Sequence, residues 1–448
     1  MSLPLFAADR MPRICRARHG APTPASRRTR RPLLAALVGL ATAGAAAAQD
    51  APLGSSLPGL LAHARAQSPD LAAMRSEAEA AAQRLEPAGA LPDPVLRVEL
   101  MNINNYGSDA APSVLPWQVG ETQYRLMQTL PGWGKRDLRR DLAAAEAQQA
   151  QARTGVTWAE LAARIKSSFA EVYRATASER LTHELLDLMA RLEQVAQARY
   201  AAGLAAQQDA IRAQIEQTAM RFELIALGNE LRQLRARLNA LLARDAAAPL
   251  ADPVASRPLP DLASLDAAAL AQRARAGNPQ LRVEEARLES AQKGRELTFG
   301  NRYPDWQLGL QSTQVGSRFT SLGLMVEVNL PLQQAPRRAQ EREAEAMVDA
   351  ARSRTDALTA QLLGDLAGQL AAYDGARRTE ALVGAQLLPQ AELGLRSALA
   401  AYETGKADFT TVLDAERQIR KARLERLKLQ AEAQMRLAEI ERLLGEDL

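Results

Sequence analysis

Long parts of the chain place apolar residues three and four positions apart, which is the spacing of one face of an α-helix. One such stretch carries Leu185, Leu188, Met189, Leu192 and Val195. Between Gly134 and Tyr200 there is no proline, so the pattern predicts one helix on the order of 100 Å long. The matching stretch from Arg337 to Tyr402 contains Pro389, where we expect a bend. Helices this long must pack against other helices.

Four shorter segments alternate apolar and polar residues, which is typical of β-strands with one apolar face. Their apolar positions are Leu96, Val98 and Leu100; Tyr124 and Leu126; Trp306, Leu308 and Leu310; and Leu322, Leu324, Val326 and Val328. The residues between them are mainly polar. Aromatic residues near the segment ends would suit the interface of a membrane, namely Trp117, Trp133, Tyr303 and Trp306. Taken alone, the alternation favours two hairpins of a soluble sandwich, because such alternation is common.

The chain contains an internal repeat. The matching pairs are Ser68-Pro69-Asp70-Leu71 with Asn278-Pro279-Gln280-Leu281, Leu130-Pro131 with Leu330-Pro331, and Arg199-Tyr200-Ala201-Ala202-Gly203 with Ala401-Tyr402-Glu403-Thr404-Gly405. Each half has the order helix, strand, strand, very long helix, sharp turn and returning helix. Proline-rich residues 249–260 interrupt the helical pattern. We therefore predict a first repeat over residues 49–248, a linker over 249–260 and a second repeat over 261–448.

The N-terminal residues predict a cleavable signal peptide over residues 1–48. Four arginines precede an apolar run from Leu33 to Ala45, and Ala46 to Ala48 supply the small residues of a cleavage site. The run is shorter than the roughly 20 residues that a membrane-spanning anchor needs. Residues 1–48 hold eight arginines and one aspartate, so the net charge of +4 becomes −3 without them. The basic character therefore gives no reason to expect nucleic-acid binding.

Export, together with the scarcity of strands, favours a membrane barrel over a sandwich. No other strand-rich region is available to pack on the two strand pairs. Four strands cannot close a barrel, and open sheet edges are not tolerated in lipid. The chain must therefore share a barrel with copies of itself, and three copies would supply twelve strands whose polar faces line a water-filled interior.

The whole layout resembles the TolC family of outer-membrane factors. The segment from Gln128 to Arg136, QTLPGWGKR, is similar to that family's junction between barrel strand and long helix, and most similar to the outer-membrane components of heavy-metal efflux systems. The resemblance implies a mainly α fold with a small β part, in which long helical hairpins form an α-barrel. It implies a homotrimer in the cell outer membrane, extending into the periplasm to an adaptor protein and an inner-membrane pump of the RND type.

The resemblance also assigns roles near the two sharp turns. The periplasmic tips that contact the adaptor would be Tyr200 with Gly203 and Tyr402 with Gly405. The candidate gate residues are Asp209, Arg212, Tyr402 and Asp414. The family pattern offers two aspartates three residues apart after the second tip, whereas this chain has Thr411 in place of the first. The same charged residues could equally be solvated helix positions.

No pattern in the sequence predicts catalysis, a cofactor or a metal centre. The only cysteine is Cys15, and the three histidines, His19, His63 and His183, are isolated from one another. Zinc-type sites need clustered ligands. We therefore predict a passive, non-enzymatic efflux duct, and the resemblance implies heavy-metal cations as its cargo. The alternative is a periplasmic adaptor or coiled-coil scaffold, although an adaptor would normally have one helical hairpin instead of two.

Overall fold

The computed structural model describes residues 53–104, 109 and 111–448. The signal peptide predicted for residues 1–48 lies outside the described residues. Among the described residues, no helix combines the length and the apolar character that crossing a membrane requires.

The first half of the described chain runs through seven elements. These are α1 (Leu57–Gln67), α2 (Pro69–Gln83), α3 (Leu85–Gly89), β1 (Val95–Met101), β2 (Glu121–Leu130), α4 (Lys135–Ala201) and α5 (Gln207–Leu241). The 67 residues of α4 form a single uninterrupted helix, as the absence of proline predicts.

The second half repeats the same order. Its elements are α6 (Ala267–Gly277), α7 (Pro279–Gly300), β3 (Trp306–Val315), β4 (Arg318–Val328), α8 (Gln334–Leu382), α9 (Leu388–Glu403) and α10 (Phe409–Leu444). One π-helical turn, Val383–Leu387, joins α8 to α9 just before Pro389. Proline lacks the N–H that an unbroken helix would use for its hydrogen bond. The predicted bend is therefore seen as a π-helical turn next to Pro389.

The repeat extends to the details of helix capping. The Ser68 hydroxyl accepts a hydrogen bond from the Leu71 N–H (3.4 Å) at the start of α2. The Asn278 side-chain oxygen accepts one from the Leu281 N–H (2.9 Å) at the start of α7. Both helices also begin with proline, a residue suited to the first helical turn. The paired sequence motifs therefore fold into the same local structure.

The four strands form one antiparallel sheet in the order β1-β2-β3-β4. Its register aligns one leucine from each strand in a single row, in the order Leu96, Leu126, Leu310 and Leu324. These side chains are 64, 46, 52 and 75% exposed. The neighbouring row on the opposite face is Arg97, Arg125, Gln311 and Gly323. The sheet thus has one exposed apolar face and one polar face, and β1 and β4 are its two edges.

The four long helices pack as a layer in the order α5, α4, α10 and α8–α9. Near the hairpin turns, leucines and alanines of α4, α5, α9 and α10 share one apolar core that contains Met189, Met220 and Phe409. Two further cores hold the short helices of each repeat against α4 and against α8 and α10. Over most of their length, helices α5 and α8–α9 therefore lie at the edges of the layer, as β1 and β4 do in the sheet. Toward the hairpin turns, side chains of α5 also reach α9 and α10.

An ionic network centred on the buried Glu441 carboxylate joins the two repeats near the C-terminus. The Lys166 ammonium on α4 donates to Glu441 on α10 (2.7 Å) and also pairs with Asp447. Arg257, from the segment between the repeats, donates to Glu441 (2.7 Å). The Glu441 hydrogen bond raises the pKa of Arg257, and the Lys166 hydrogen bond lowers the pKa of Asp447. Buried charges need such partners because leaving water is costly for them.

Candidate gate at the helical hairpin turns

The turns after α4 and α9 have the same backbone geometry. Gly203 and Gly405 have φ values of +70° and +74°, a region that glycine adopts without strain. The N–H of each glycine donates to the carbonyl three residues earlier, and the next N–H donates to the carbonyl five residues earlier, at 2.8–3.0 Å. This pair of bonds is the Schellman motif, which ends a helix by satisfying its last carbonyls. The predicted tips are therefore two matching helix ends.

Tyr402 is the centre of a contact between the two hairpins. Its ring is buried, packs against Phe409 (5.3 Å between centroids) and lies under the guanidinium of Arg199 (4.8 Å). Its hydroxyl donates to Asp209 of α5 at 3.4 Å. Burial, followed by the negative charge of Asp209, raises the pKa of Tyr402, so the hydroxyl stays protonated as a donor. Arg199 also donates to the Glu403 carbonyl (2.8 Å).

Two more contacts on α5 continue this line toward the sheet. The Arg212 guanidinium donates to the Thr410 hydroxyl. One further turn along, the buried Glu216 carboxylate accepts from Arg417 (2.8 Å) and Arg420 (3.0 Å) of α10. The Arg417 hydrogen bond lowers the pKa of Glu216 below its ordinary value. Positions 209, 212 and 216 are three and four residues apart, so they lie on one helical face.

The structure brings together some of the predicted gate residues and separates others. Tyr402 and Asp209 are in contact, and Arg212 lies beside them on α5. Asp414 is exposed and pairs with Arg417 at 3.5 Å, a spacing of three residues on its own helix. Tyr200 is half exposed. Thr411 is exposed too.

Sequence reasoning missed Glu216, Arg417 and Arg420, although these residues form a charged contact between α5 and α10 whose carboxylate is buried. The spacing of Glu216 from Asp209 and Arg212 was the available signal. The sequence does not show which helix that face of α5 meets, so the partners on α10 could not be identified from it.

The described residues contain no group of three or more histidine, cysteine, aspartate or glutamate side chains that could hold a metal ion. The charged contacts near the turns consist of arginine with carboxylate or hydroxyl groups. Their chemistry is suited to holding helices together.

The other end of the long helices is joined to the sheet by a compact ionic contact. The Asp305 carboxylate, just before β3, accepts from the Gly132 N–H (2.6 Å) and from the buried Lys135 ammonium (2.8 Å) at the start of α4. Trp133, between these two residues, is 98% exposed. The segment QTLPGWGKR thus ties β2 and α4 of one repeat to β3 of the other and leaves its indole facing outward.

Comparison with known proteins places this architecture among described families. The family model "Outer membrane efflux protein" matches residues 60–244 and 270–446, one segment in each half. The cobalt-zinc-cadmium resistance protein CzcC of Cupriavidus metallidurans is 26% identical over 323 residues, covering 70% of this chain and 74% of the relative.

Solved structures show the same fold. The outer membrane protein VceC of Vibrio cholerae superposes with a TM-score of 0.72 at 19% identity, covering 87% of this chain and 96% of VceC. A structure of CusC gives a TM-score of 0.73 at 16% identity, covering 87% of this chain and 92% of CusC. The predicted TolC-like fold, with long helical hairpins, four strands and an internal repeat, is confirmed.

Proposed function

Since the chain belongs to the outer membrane efflux protein family, we propose that three copies form a passive duct of a tripartite pump that carries heavy-metal cations out of the cell. The observation that carries this proposal is the row of four exposed leucines across a sheet with two open edges. Such a face is stable against lipid, and such edges are stable only when another chain pairs with them. Three copies joined from β4 to β1 would form a twelve-stranded barrel.

Rows of exposed, mainly apolar residues on the two edge helices, here called seams, also support a closed trimer. On α5 the exposed positions Ile211, Ile215, Thr218, Phe222 and Ile225 alternate spacings of four and three. On the opposite edge, α8–α9 exposes Leu382, Pro389, Leu393 and Ala400 at spacings of seven, four and seven. These are coiled-coil spacings. We infer that the α5 seam of one protomer packs on the α8–α9 seam of the next, a heterologous contact that closes by rotation.

Partners at the turns follow from this placement. The sheet would lie in the outer membrane and the hairpins would extend into the periplasm, with Gly203 and Gly405 at their tips. There the exposed Tyr200 and the tip glycines would contact an adaptor protein, which in turn would meet an inner-membrane pump of the RND type. Energy would come from the pump, because nothing in the duct's proposed role requires catalysis.

The cargo proposal rests on the similarity to CzcC, whose name describes resistance to cobalt, zinc and cadmium. Deleting the gene should make the host more sensitive to at least one of these cations, as measured by growth inhibition, and the intact gene should restore resistance. Copper, silver and a panel of uncharged drugs serve as comparison compounds. Greater sensitivity to drugs with unchanged sensitivity to every metal would show that the cargo assignment is wrong.

The alternative role, a periplasmic scaffold, predicts a different behaviour on fractionation. A barrel protein should stay with outer membranes through a high-salt wash and leave them only with detergent. Release of folded protein by salt alone would favour the scaffold.

The gate assignment gives a prediction for single-channel recordings. Tyr402→Phe removes the hydroxyl that donates to Asp209 and keeps the ring packed on Phe409. A hydrogen bond of this kind is worth about 1 kcal/mol, so each protomer's opening equilibrium should shift by about fivefold, which should increase the fraction of open channels in a planar bilayer. Asp414→Ala tests the other candidate acid of the gate: it removes the ion pair with Arg417 at 3.5 Å and should also raise the conductance. Equal, unchanged recordings from both variants would remove these residues from the gate.

A further inference from the structure

One acidic side chain near the gate is buried without any partner. Glu416 of α10 is fully buried, and neither of its carboxyl oxygens has a hydrogen-bond partner. Apolar residues of the same helix face, Val412, Leu413 and Ile419, are buried beside it. An ionised carboxylate in such surroundings is strongly unfavourable. Packing of the hairpins therefore favours the neutral, protonated form of Glu416.

The charged groups around Glu416 come from α5 and from α10 itself. On α5 these are Glu216 and Glu223, and on α10 they are Arg417 and Arg420. The α4 side chains that are buried along this stretch are uncharged, namely Leu181, Thr182, Leu185 and Met189. On α9, Tyr402 contacts Asp209, and Glu392 already pairs with Arg423 (3.2 Å). Two carboxylates and two guanidinium groups thus share one region between α5 and α10.

Arg420 lies one helical turn along α10 from Glu416, a spacing at which side chains of a helix can interact, and it already contacts Glu216. It donates to Glu216 at 3.0 Å, and it is also the cation that acts most strongly on Glu416. While Glu416 is neutral, Arg417 and Arg420 are both available to Glu216, and the contact joins α5 to α10. If Glu416 ionised, it would attract Arg420 and repel Glu216.

We propose that Glu416 is a proton-controlled element of the gate, which strengthens the Glu216 contact with Arg417 and Arg420 when neutral and loosens α5 from α10 when ionised. This inference rests on the proposed channel function. Loosening α5 from α10 can change an ionic current only if the trimer is a channel. The gate would then have two contacts between the hairpins. Glu216 lies about two helical turns along α5 from Asp209, which contacts Tyr402.

The direction of the pH effect follows from burial. Burial, aided by the charge of Glu216 and opposed by the attraction of Arg420, raises the pKa of Glu416 from 4.5 to about 7. In an opened state that exposes Glu416 to water, its carboxyl would have the ordinary pKa of 4.5. The advantage of the packed state is therefore complete below pH 4.5, declines as the pH rises and is lost above about pH 7. The two values limit the change in each protomer's opening equilibrium to roughly 300-fold, at tenfold for each pKa unit.

Conductance of the full-length trimer in planar bilayers tests the proposal. Between about pH 5 and about pH 8.5, a range that brackets both protonation states, the open fraction of the wild type should rise by tens of fold or more. Glu416→Gln is neutral at every pH and should remove this rise, leaving the channel as closed as the wild type is in acid. Glu216→Gln should open the channel at every pH, because Arg417 and Arg420 lose their shared acceptor.

Glu425→Gln is the matched control, since Glu425 lies on the same helix, is partly exposed and pairs with Lys428 of its own helix at 3.6 Å. It should keep the wild-type pH response. A wild type whose conductance does not change with pH would overturn the proposal, and so would a Glu416→Gln variant that keeps the full response.

A distance measurement keeps the test independent of conductance. The chain's only cysteine is Cys15, within the predicted signal peptide, so spin labels at Arg221→Cys on α5 and Gln418→Cys on α10 need no removal of native thiols. Both positions are exposed. The interspin distance in the detergent-solubilised trimer should widen as the pH rises and should stay short when Glu416→Gln is added. If the protein forms no pore but the distance still widens with pH, the channel function is refuted and the pH response of Glu416 stands. If the distance stays constant with pH, the proposed role of Glu416 is refuted.

Discussion

Leu310→Arg should abolish the accumulation of assembled protein in the outer membrane. Leu310 lies in the leucine row between Leu126 and Leu324 and is half exposed on the apolar face. An arginine at the bilayer midplane on the lipid face of a barrel costs roughly 2–4 kcal/mol, and a trimer would carry this cost three times. The measurement is the amount of heat-modifiable trimer in purified outer membranes.

Thr313→Arg is the matched control for that substitution. It lies on the same strand but on the polar face, and its cross-strand neighbours Gln123 and Ser321 are uncharged. Facing a water-filled interior, the new arginine should leave assembly close to that of the wild type and should alter ion selectivity instead. If both variants assembled equally well, the apolar face would not contact lipid and the proposed barrel would be wrong.

Glu441→Ala should strongly destabilise the helical part. Glu441 is buried and accepts from Lys166, Arg257 and the Leu448 N–H. Its removal leaves two largely buried cations, Lys166 and Arg257, with too few acceptors, which costs roughly 3–5 kcal/mol. Helical circular dichroism of the purified protein on heating should show a lower melting temperature.

Glu439→Ala tests whether the effect is specific to the buried network. Glu439 lies on the same helix and makes an ion pair with Arg442 at 2.7 Å, with its side chain 37% exposed. Exposed pairs of this kind contribute about 1 kcal/mol or less, so the melting temperature should stay near that of the wild type. A similar melting temperature for both variants would mean that the network between the repeats adds little.

Acid should weaken the same network through Asp447. The Lys166 hydrogen bond holds the pKa of Asp447 below its ordinary value of 3.8. The stability from this pair is therefore present above pH 3.8 and is lost as the pH falls through the lower folded value. The network and Glu416 consequently respond to pH in opposite directions and in separate ranges.

Much of the fold could be predicted because the signals were local. The period-two segments became β1 to β4, the proline-free stretch became α4, and Pro389 marked the irregular turn before α9. The family likeness was confirmed, while the exact boundaries of the repeats and the roles of Tyr200, Gly203, Tyr402, Gly405, Asp209, Arg212 and Asp414 stay predictions. Heavy-metal cargo also stays a proposal.

By itself, the sequence determined the two-fold repeat, the helices and turns, and the two faces of each strand. Backbone preference and hydrophobic periodicity depend on residues that are close together in the chain. Only the tertiary structure decided which charges meet. Tyr402 with Asp209, Glu216 with Arg417 and Arg420, and Lys166 with Glu441 are pairs from opposite repeats, nearly two hundred residues or more apart in the chain. A helical period shows that a charge lies on one face, but the packing of the helices determines what that face meets and whether water reaches it. Glu416 shows this dependence most clearly, since an ordinary helical glutamate became an unpaired buried acid only through the packing around it.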